Sequence, residues 1–271
     1  MFSGLTLATL LGVPAGAWIG QHFGWRMAFA AVAVVGVVAL AILAIFVPLD
    51  VAAPRPASLS QELSVLGKAQ VWLGLGITVF GFSGVFALYT YVEPLLTQVT
   101  HMSDRLVAIT LLIFGAGLAI GNHVGGKLAD RGVMRALFLT MGTLLVALVL
   151  GRWAFGQSAV ALVYVLLLGI AAFMTVAPMQ MQVLQSAGAA GSNLASSLNI
   201  SAFNLGNAIG AAVGGAVISH GFGLLSLSWA AAVLTVIGLL LAAISHRLAI
   251  RDEPAEARAC PAPAALCANA E

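Results

Sequence analysis

The chain has 271 residues, of which 61% are hydrophobic and 7% are charged, with a mean hydropathy of +1.07. Soluble domains carry about a quarter charged residues, so this composition excludes a protein with a fully water-facing surface and predicts a membrane protein. The formal net charge of +2 is too small to indicate nucleic-acid binding, and no nucleic-acid partner is expected.

Eight segments of the chain are long and apolar enough for a membrane-spanning helix, which needs about 20 residues. Apolar runs such as residues 30–47 lack the alternation of a transmembrane β-strand, so a helical bundle in the lipid bilayer is predicted. The predicted spans are 2–20, 27–48, 70–92, 104–127, 135–154, 158–183, 191–218 and 226–247.

The polar stretches between and after the spans suggest a linker and a tail. Residues 50–69 form the longest polar interruption and contain Pro54 and Pro56, which is typical of a linker. The segment after residue 248 is rich in alanine, proline and charge, and it is predicted to be disordered. It holds Cys260 and Cys267, whose spacing fits no zinc or redox signature; inert tail residues and a regulatory or lipidated thiol both stay open.

The basic residues are distributed unevenly between the two sides of the predicted bundle. Lysine and arginine near helix ends are more frequent on the cytoplasmic side of a membrane protein, so the side with more of them predicts the orientation. The linker and the C-terminus are therefore expected in the cytoplasm. The richer side holds Arg55, Lys68, Lys127, Arg131, Arg135, Arg247, Arg251 and Arg258, and the other side holds Arg26, Arg105 and Arg152.

Two glycine trios with a spacing of four residues mark the first and seventh spans. The spacing puts each trio on one helix face, where missing side chains let a neighbouring helix approach closely. The trios begin at positions 12 and 206, an offset close to the length of about six helices with their loops, so a six-helix internal repeat is predicted. The N-terminal trio is Gly12, Gly16 and Gly20, and the C-terminal trio is Gly206, Gly210 and Gly214.

The stretch from Gly121 to Arg135 reads Gly-Asn-His-Val-Gly-Gly-Lys-Leu-Ala-Asp-Arg-Gly-Val-Met-Arg. It resembles the signature loop Gly-x-Leu-Ala-Asp-Arg-x-Gly-Arg-Arg of the major facilitator superfamily, in the copy between helices eight and nine. Glycine directly follows Arg131, a shortened form similar to that of sugar and nucleoside efflux permeases. The stretches 88–95, 177–180 and 197–206 are similar to the same drug/proton antiporter group, which includes arabinose-efflux and purine-nucleoside-efflux permeases.

The resemblance implies an all-α integral membrane protein with eight transmembrane helices of a twelve-helix major facilitator fold. In that frame, residues 1–49 are the last two helices of the N-terminal bundle and residues 50–69 are a cytoplasmic linker. Residues 70–247 are the complete C-terminal six-helix bundle, followed by the cytoplasmic tail at 248–271. Helices one to four are then expected to be missing. The implied function is efflux of a small organic solute by proton antiport through alternating access. The resemblance also implies a multi-pass protein of a bacterial inner membrane that is monomeric when full length.

The resemblance also implies a conformational latch in the signature loop, where acidic and basic groups pair in one state and separate in the other. Contacts that differ between two states shift their populations. The alternative is a solvated basic loop, in which an exposed pair contributes under about 1 kcal/mol. The latch residues are Gly126, Asp130, Arg131, Gly132 and Arg135.

Polar side chains on three spans are candidates for a solute cavity. On the seventh span, asparagines and serines share a helix face that must meet either a watery cavity or polar neighbouring helices, because unpaired amides are costly in hydrocarbon. Solute contact and interhelical hydrogen bonding therefore both stay open. The tyrosines before Pro94 fit either solute contact or an interfacial aromatic belt. The cavity candidates are Tyr89, Tyr91, Gln180, Asn199, Ser201, Asn204 and Asn207.

Proton coupling normally uses a carboxylate within the membrane, and none is predicted here at the bilayer midplane. Glu93, near the periplasmic end of its span, and His123, near the cytoplasmic end of the next, are the coupling candidates. The resemblance implies that such groups commonly lie in the N-terminal half. No cofactor and no metal site are expected.

Two other interpretations remain beside transport by a complete protein. The isolated chain is then either a non-functional truncated product or a half-transporter that needs a partner carrying the missing helices. An intramembrane enzyme is disfavoured because neither paired acids nor a His-Glu-x-x-His helix is present. The substrate stays open among sugars, nucleosides, purines and amphipathic drugs.

Overall fold

A computed structural model describes residues 22–46 and 62–252, together with residues 12, 15, 16, 19 and 20. Every regular element in these ranges is helical. Short 3-10 turns occur at Ser64–Gly67, Ala189–Gly191 and Leu224–Ser226, and a π turn at Leu95–Val99. The α-helices are α1 (Trp25–Phe46), α2 (Ala69–Tyr89), α3 (Val92–Pro94), α4 (Asp104–Arg131), α5 (Val133–Ala154), α6 (Ser158–Met174), α7 (Val176–Ala187), α8 (Ser192–Ser219) and α9 (Leu227–Asp252).

Seven helical segments in the described ranges are long and apolar enough to cross a membrane. They confirm the predicted helical membrane bundle and coincide with the last seven predicted spans. The first predicted span, 2–20, lies outside the described residues except for isolated positions. The seven segments are Trp25–Phe46, Ala69–Val99, Asp104–Arg131, Val133–Ala154, Ser158–Ala187, Ser192–Ser219 and Leu224–Arg251.

The ends of the linker and of the last helix refine the predicted boundaries. Most of the predicted linker, 50–61, lies outside the described residues, and α2 begins at Ala69. Helix α9 continues to Asp252, past the predicted end at 247, because Leu248 and Ile250 extend its apolar pattern. The remainder of the predicted tail, 253–271, is outside the described ranges, and the domain division stays a prediction.

The C-terminal glycine trio lies where α8 crosses α2. A Cβ added at Gly206 would lie 2.8 Å from the carbonyl oxygen of Val79, and one at Gly210 would overlap that of Ser83. Any side chain would therefore push the two helix backbones apart. The glycine face holds α8 against α2, so the adjacent face of α8, with Phe203 and Asn207, borders the same space as Phe82 and Tyr89 of α2.

A second glycine trio, on α4, packs against α6 in the same way. A Cβ added at Gly117 would lie 2.6 Å from the carbonyl oxygen of Leu166, and the next two glycines meet the carbonyl oxygens of Ile170 and Met174. These two close helix pairs, α2 with α8 and α4 with α6, form the walls of the bundle interior. The second trio is Gly117, Gly121 and Gly125.

Helix α9 packs on α2 beside α8. A Cβ added at Gly84 of α2 would lie 2.7 Å from the carbonyl oxygen of Ala231, and Gly238 of α9 approaches the backbone nitrogen of Gly81. Helix α2 is thus tightly packed over most of its length, and Ile77, Ala87 and Leu88 are fully buried.

Helix α1 presents its side chains outward. None of its residues, Trp25–Phe46, is buried against the described part of the chain. Gly12, Gly16 and Gly20 likewise have no described neighbour that an added Cβ would meet within 4 Å. The packing role predicted for the N-terminal trio stays a prediction.

Candidate functional site

A cavity of about 340 Å³ lies between two pairs of closely packed helices, α2 with α8 and α4 with α6. Its lining residues recur three and four positions apart on α2 and on α8, so one face of each helix borders it. The volume falls at the small end of the range for ligand pockets, about 300–1,000 Å³. The lining consists of Phe82, Val85, Phe86 and Tyr89 on α2, Phe114 and Leu118 on α4, Phe173 and Val176 at the α6–α7 junction, and Ile200, Phe203, Asn204 and Asn207 on α8.

Six of the lining side chains are aromatic, and several of their rings contact each other. The ring of Tyr89 stacks on that of Phe114, with centroids 4.7 Å apart and an interplanar angle of 14°. The ring of Phe82 meets Phe203 edge to face at 4.8 Å, and it also lies near Phe86 at 5.5 Å. Such aromatic pairs contribute about 0.5–1.5 kcal/mol each beyond the area they bury. These phenylalanines are not among the residues predicted from the sequence to line a cavity.

Two asparagines supply the only side-chain amides among the lining residues. Asn204 is exposed, and its Nδ2 donates to the carbonyl oxygen of Ile200 at 2.9 Å. Asn207 is half-buried, and its Oδ1 is enclosed without a hydrogen-bond partner among the described residues. An enclosed amide oxygen without a partner is costly in an apolar surrounding. Tyr89, Asn204 and Asn207 are thus the cavity candidates that the structure brings together around one space.

Gln180 and Asn199 pair with each other away from the cavity lining. The Nδ2 of Asn199 donates to Oε1 of Gln180 at 2.7 Å, and Nε2 of Gln180 donates to Oγ of Ser196 at 3.0 Å. Asn199 is fully buried, and its own Oδ1 has no partner in the described part of the chain. This amide pair links α7 to α8 in the manner of interhelical hydrogen bonding.

The other two cavity candidates also lie off the lining. The α-helical conformation is interrupted at Thr90 and Tyr91, between α2 and α3. The hydroxyl of Tyr91 donates to the carbonyl oxygen of Ala211 at 2.8 Å. Ser201 is exposed on α8, and its hydroxyl donates to the carbonyl oxygen of Ser197 at 3.1 Å. Tyr91 thus ties the break after α2 to α8.

A polar cluster at the N-terminal end of α2 was not predicted. The hydroxyl of Ser245 on α9 donates to Oε1 of Gln70 at 2.6 Å, and Gln182 on α7 reaches the same hydroxyl at 3.4 Å. Close by, Nζ of Lys68 donates to the carbonyl oxygen of Ala187 at 2.7 Å. These bonds join three helices at one end of the bundle.

The two coupling candidates lie outside the cavity lining. Glu93 is exposed in the short helix α3, and His123 is exposed on α4 near its C-terminal end. In the described ranges, no group of three or more His, Cys, Asp or Glu side chains is arranged to hold a metal ion.

The signature loop forms the junction of α4 and α5. Asp130 and Arg131 are exposed in the last turn of α4, and Arg135 is exposed in the first turn of α5. Gly132 joins the helices with φ 150°, in the region that favours glycine. Within residues 62–252, no ion pair joins Asp130 to Arg131 or Arg135. Gly126 lies one turn earlier, with open space around its Cβ position.

Comparison with known proteins decides the family. The family model described as Major Facilitator Superfamily matches residues 1–197 of the chain. The chain belongs to the major facilitator superfamily. Members of this superfamily are transporters and not enzymes, and the chain is a multi-pass member of it.

Several curated proteins resemble the chain over most of its length. It is 43% identical over 251 residues to the inner membrane transport protein YdhP of Escherichia coli K12, covering 91% of this chain and 63% of that protein. It is 36% identical to an uncharacterized MFS-type transporter, YtbD, of Bacillus subtilis, covering 93% of this chain and 64% of YtbD. It is 31% identical to a probable sugar efflux transporter of Pasteurella multocida, covering 88% of this chain and 58% of that protein. The chain thus spans less than two-thirds of the length of these relatives.

Proposed function

We propose that the chain belongs to a secondary active exporter that moves a small organic solute out of the cell in exchange for protons. The observation that carries this proposal is the cavity between the two helix pairs. It combines an apolar wall with a few amides, which is the usual composition of a small-molecule site. Its Ile200 and Asn204 side is exposed, so a solute can enter between the helices without displacing the core.

We further propose that the chain supplies the last eight helices of a twelve-helix fold. In such folds the solute site lies near the midplane, where two six-helix bundles meet. The exposed polar face of α8, with Ser197, Ser201 and Asn204, supports this arrangement because a second bundle would cover it. The greater length of the relatives also supports it. A half-transporter completed by a partner is the alternative, and a monomer is expected for the twelve-helix protein.

The distribution of charge supports an orientation for the bundle. Basic side chains gather at the end of the bundle that holds the Gln70–Ser245 cluster, while the other predicted side holds Arg26, Arg105 and Arg152. Under the positive-inside rule, the richer end faces the cytoplasm. The basic residues at that end are Lys68, Lys127, Arg131, Arg135, Arg247 and Arg251.

The proposed activity requires transport that depends on a pH gradient. We expect inverted membrane vesicles containing the protein to accumulate solute when their interior is acidified, because outward proton flow drives inward solute flow in this orientation. Labelled L-arabinose, inosine and chloramphenicol represent the solute classes that remain open. Uptake of one of them that a protonophore abolishes would support proton antiport, whereas protonophore-insensitive uptake would contradict it.

We propose that the α4–α5 junction acts as a conformational latch, with Asp130 pairing in one state of the transport cycle. Because Asp130 is exposed and unpaired by the neighbouring arginines here, its replacement should leave the bundle folded. We expect Asp130→Asn to slow transport at least about fivefold, the effect of losing about 1 kcal/mol of state-dependent coupling. Asp104→Asn, an exposed aspartate at the other end of α4, is the matched control. Equal transport rates for both variants would contradict the latch and support the alternative, that the junction is a solvated basic loop.

A further inference from the structure

The residues that line the cavity indicate the chemical class of the solute. Its polar groups are two asparagines and the Tyr89 hydroxyl, and no charged side chain occurs among the lining residues that the structure describes. An ionised solute would meet no opposite charge on this wall, and desolvating an unpaired charge is strongly unfavourable. The wall therefore favours a neutral solute.

The six aromatic rings define the shape of the solute. The Tyr89–Phe114 stack and the Phe82–Phe203 pair place flat ring faces and ring edges around the same space. Aromatic pairs prefer offset-stacked or edge-to-face contacts at centroid separations of about 4.5–7 Å. A planar aromatic solute can make these contacts with several rings at once. A sugar gains less here, because most of its hydroxyl groups would lose water without gaining a partner.

Asn207 determines the polar group that the solute should carry. Asn207 lines the cavity, and its Oδ1 is buried without a hydrogen-bond partner among the described residues, while the Nδ2 of Asn204 is already bonded to the carbonyl oxygen of Ile200. An enclosed acceptor is satisfied by a hydroxyl or an N–H donor. A site that pairs such a group discriminates against an analogue that lacks it, because the amide is then left unpaired.

From these three features, we propose that the solute is a neutral, planar aromatic molecule with a hydroxyl or N–H group, and that this group donates to Oδ1 of Asn207. The proposal rests on the cavity's role as the solute site of the transporter. It names a substrate class that differs from the sugar in the name of the Pasteurella multocida relative.

The proposal is tested by binding to the purified full chain in lipid nanodiscs, with no pH gradient and with binding to empty nanodiscs subtracted. The probes are 2-naphthol, which has one hydroxyl donor, 2-methoxynaphthalene, in which the donor is blocked, and L-arabinose. We expect 2-naphthol to bind about tenfold more tightly than 2-methoxynaphthalene, and L-arabinose to bind more weakly than both.

Variants then assign the preference to its residues. Asn207→Leu should remove the difference between the two naphthalenes, whereas Asn193→Leu, on an exposed face of the same helix, should preserve it. Phe203→Ala should weaken both naphthalenes by a similar factor, up to about tenfold. The comparison of ligands in the unaltered protein does not depend on whether any variant folds.

Three outcomes would overturn the proposal: tighter binding of L-arabinose than of 2-naphthol, equal affinity of the two naphthalenes for the unaltered protein, or a preference that persists in Asn207→Leu. Any of these results would leave proton-driven transport standing. Conversely, uptake that does not respond to a protonophore would contradict the coupling and leave the binding result valid.

Discussion

We expect Gly210→Ala to lower the free energy of unfolding by about 1–3 kcal/mol, the usual cost of overpacking a tightly packed interior. The added Cβ would overlap the carbonyl oxygen of Ser83 and lie 2.9 Å from the backbone nitrogen of Ala87. These are backbone atoms of α2, so the contact is relieved only if α8 moves away. That movement would carry Phe203 and Asn207 out of position, and transport should fall together with stability.

A glycine with open space around it provides the control. Gly142 lies inside α5, and a Cβ there would meet no atom within 4 Å. Gly142→Ala should therefore leave the free energy of unfolding unchanged or raise it by up to about 1 kcal/mol, because alanine has a higher helix propensity than glycine. Both variants can be followed by circular dichroism as detergent micelles are enriched in dodecyl sulfate. A Gly210→Ala protein as stable as Gly142→Ala would show that the α2–α8 contact tolerates a side chain.

We expect Asn199→Leu to cost about 1 kcal/mol, because it leaves Oε1 of Gln180 buried without its 2.7 Å donor while it also removes the unpartnered Oδ1 of Asn199, which partly offsets the loss. The loss should appear in the same unfolding assay as a lower fraction of dodecyl sulfate at the midpoint. Because Asn199 is fully buried and absent from the cavity lining, solute binding should change less than stability does.

The pairing of the two amides is isolated by a double-mutant cycle. Asn199→Leu with Gln180→Leu should cost less than the sum of the single variants, by about 0.6 kcal/mol or more. Asn193→Leu, on the exposed side of α8, should change stability by less than about 0.5 kcal/mol. Strict additivity of the Asn199 and Gln180 variants would mean that their hydrogen bond adds nothing to the fold.

The helices were predictable because their apolar runs are long and continuous, and the spacing of the C-terminal trio was a visible packing signal. The spacing alone did not identify the partner helix, since any helix can present a smooth face to a row of glycines. The trio on α4 has the same spacing but was not identified, because Gly121 and Gly125 were interpreted within the signature stretch. The four-residue spacing of the α4 glycines was therefore visible in the sequence, and it indicates helix packing as well as the family motif.

The candidate site was predictable in its polar residues, including Tyr89, and not in its phenylalanines. Asn204, Asn207 and Tyr89 stood out because polar groups are rare in spans. A phenylalanine such as Phe82 or Phe203 is equally compatible with lipid and with a cavity wall, so composition does not distinguish the two. Asn199 resembled its neighbours in sequence, yet its amide is paired with Gln180, and such pairing depends on the angle between α7 and α8.

Secondary transport through this cavity, as proposed above, requires alternating access, in which the cavity opens to each side of the membrane in turn. Thiol labelling at the cavity rim tests this requirement most directly. The substitution Asn204→Cys, with Cys260→Ser and Cys267→Ser to remove the natural thiols, would be exposed to a membrane-impermeant maleimide in right-side-out and in inverted vesicles. Val146→Cys, which faces outward on α5, is the control and should react in neither. Alternating access predicts that position 204 reacts in both vesicle types. Reaction from one side only, or from neither, would contradict it.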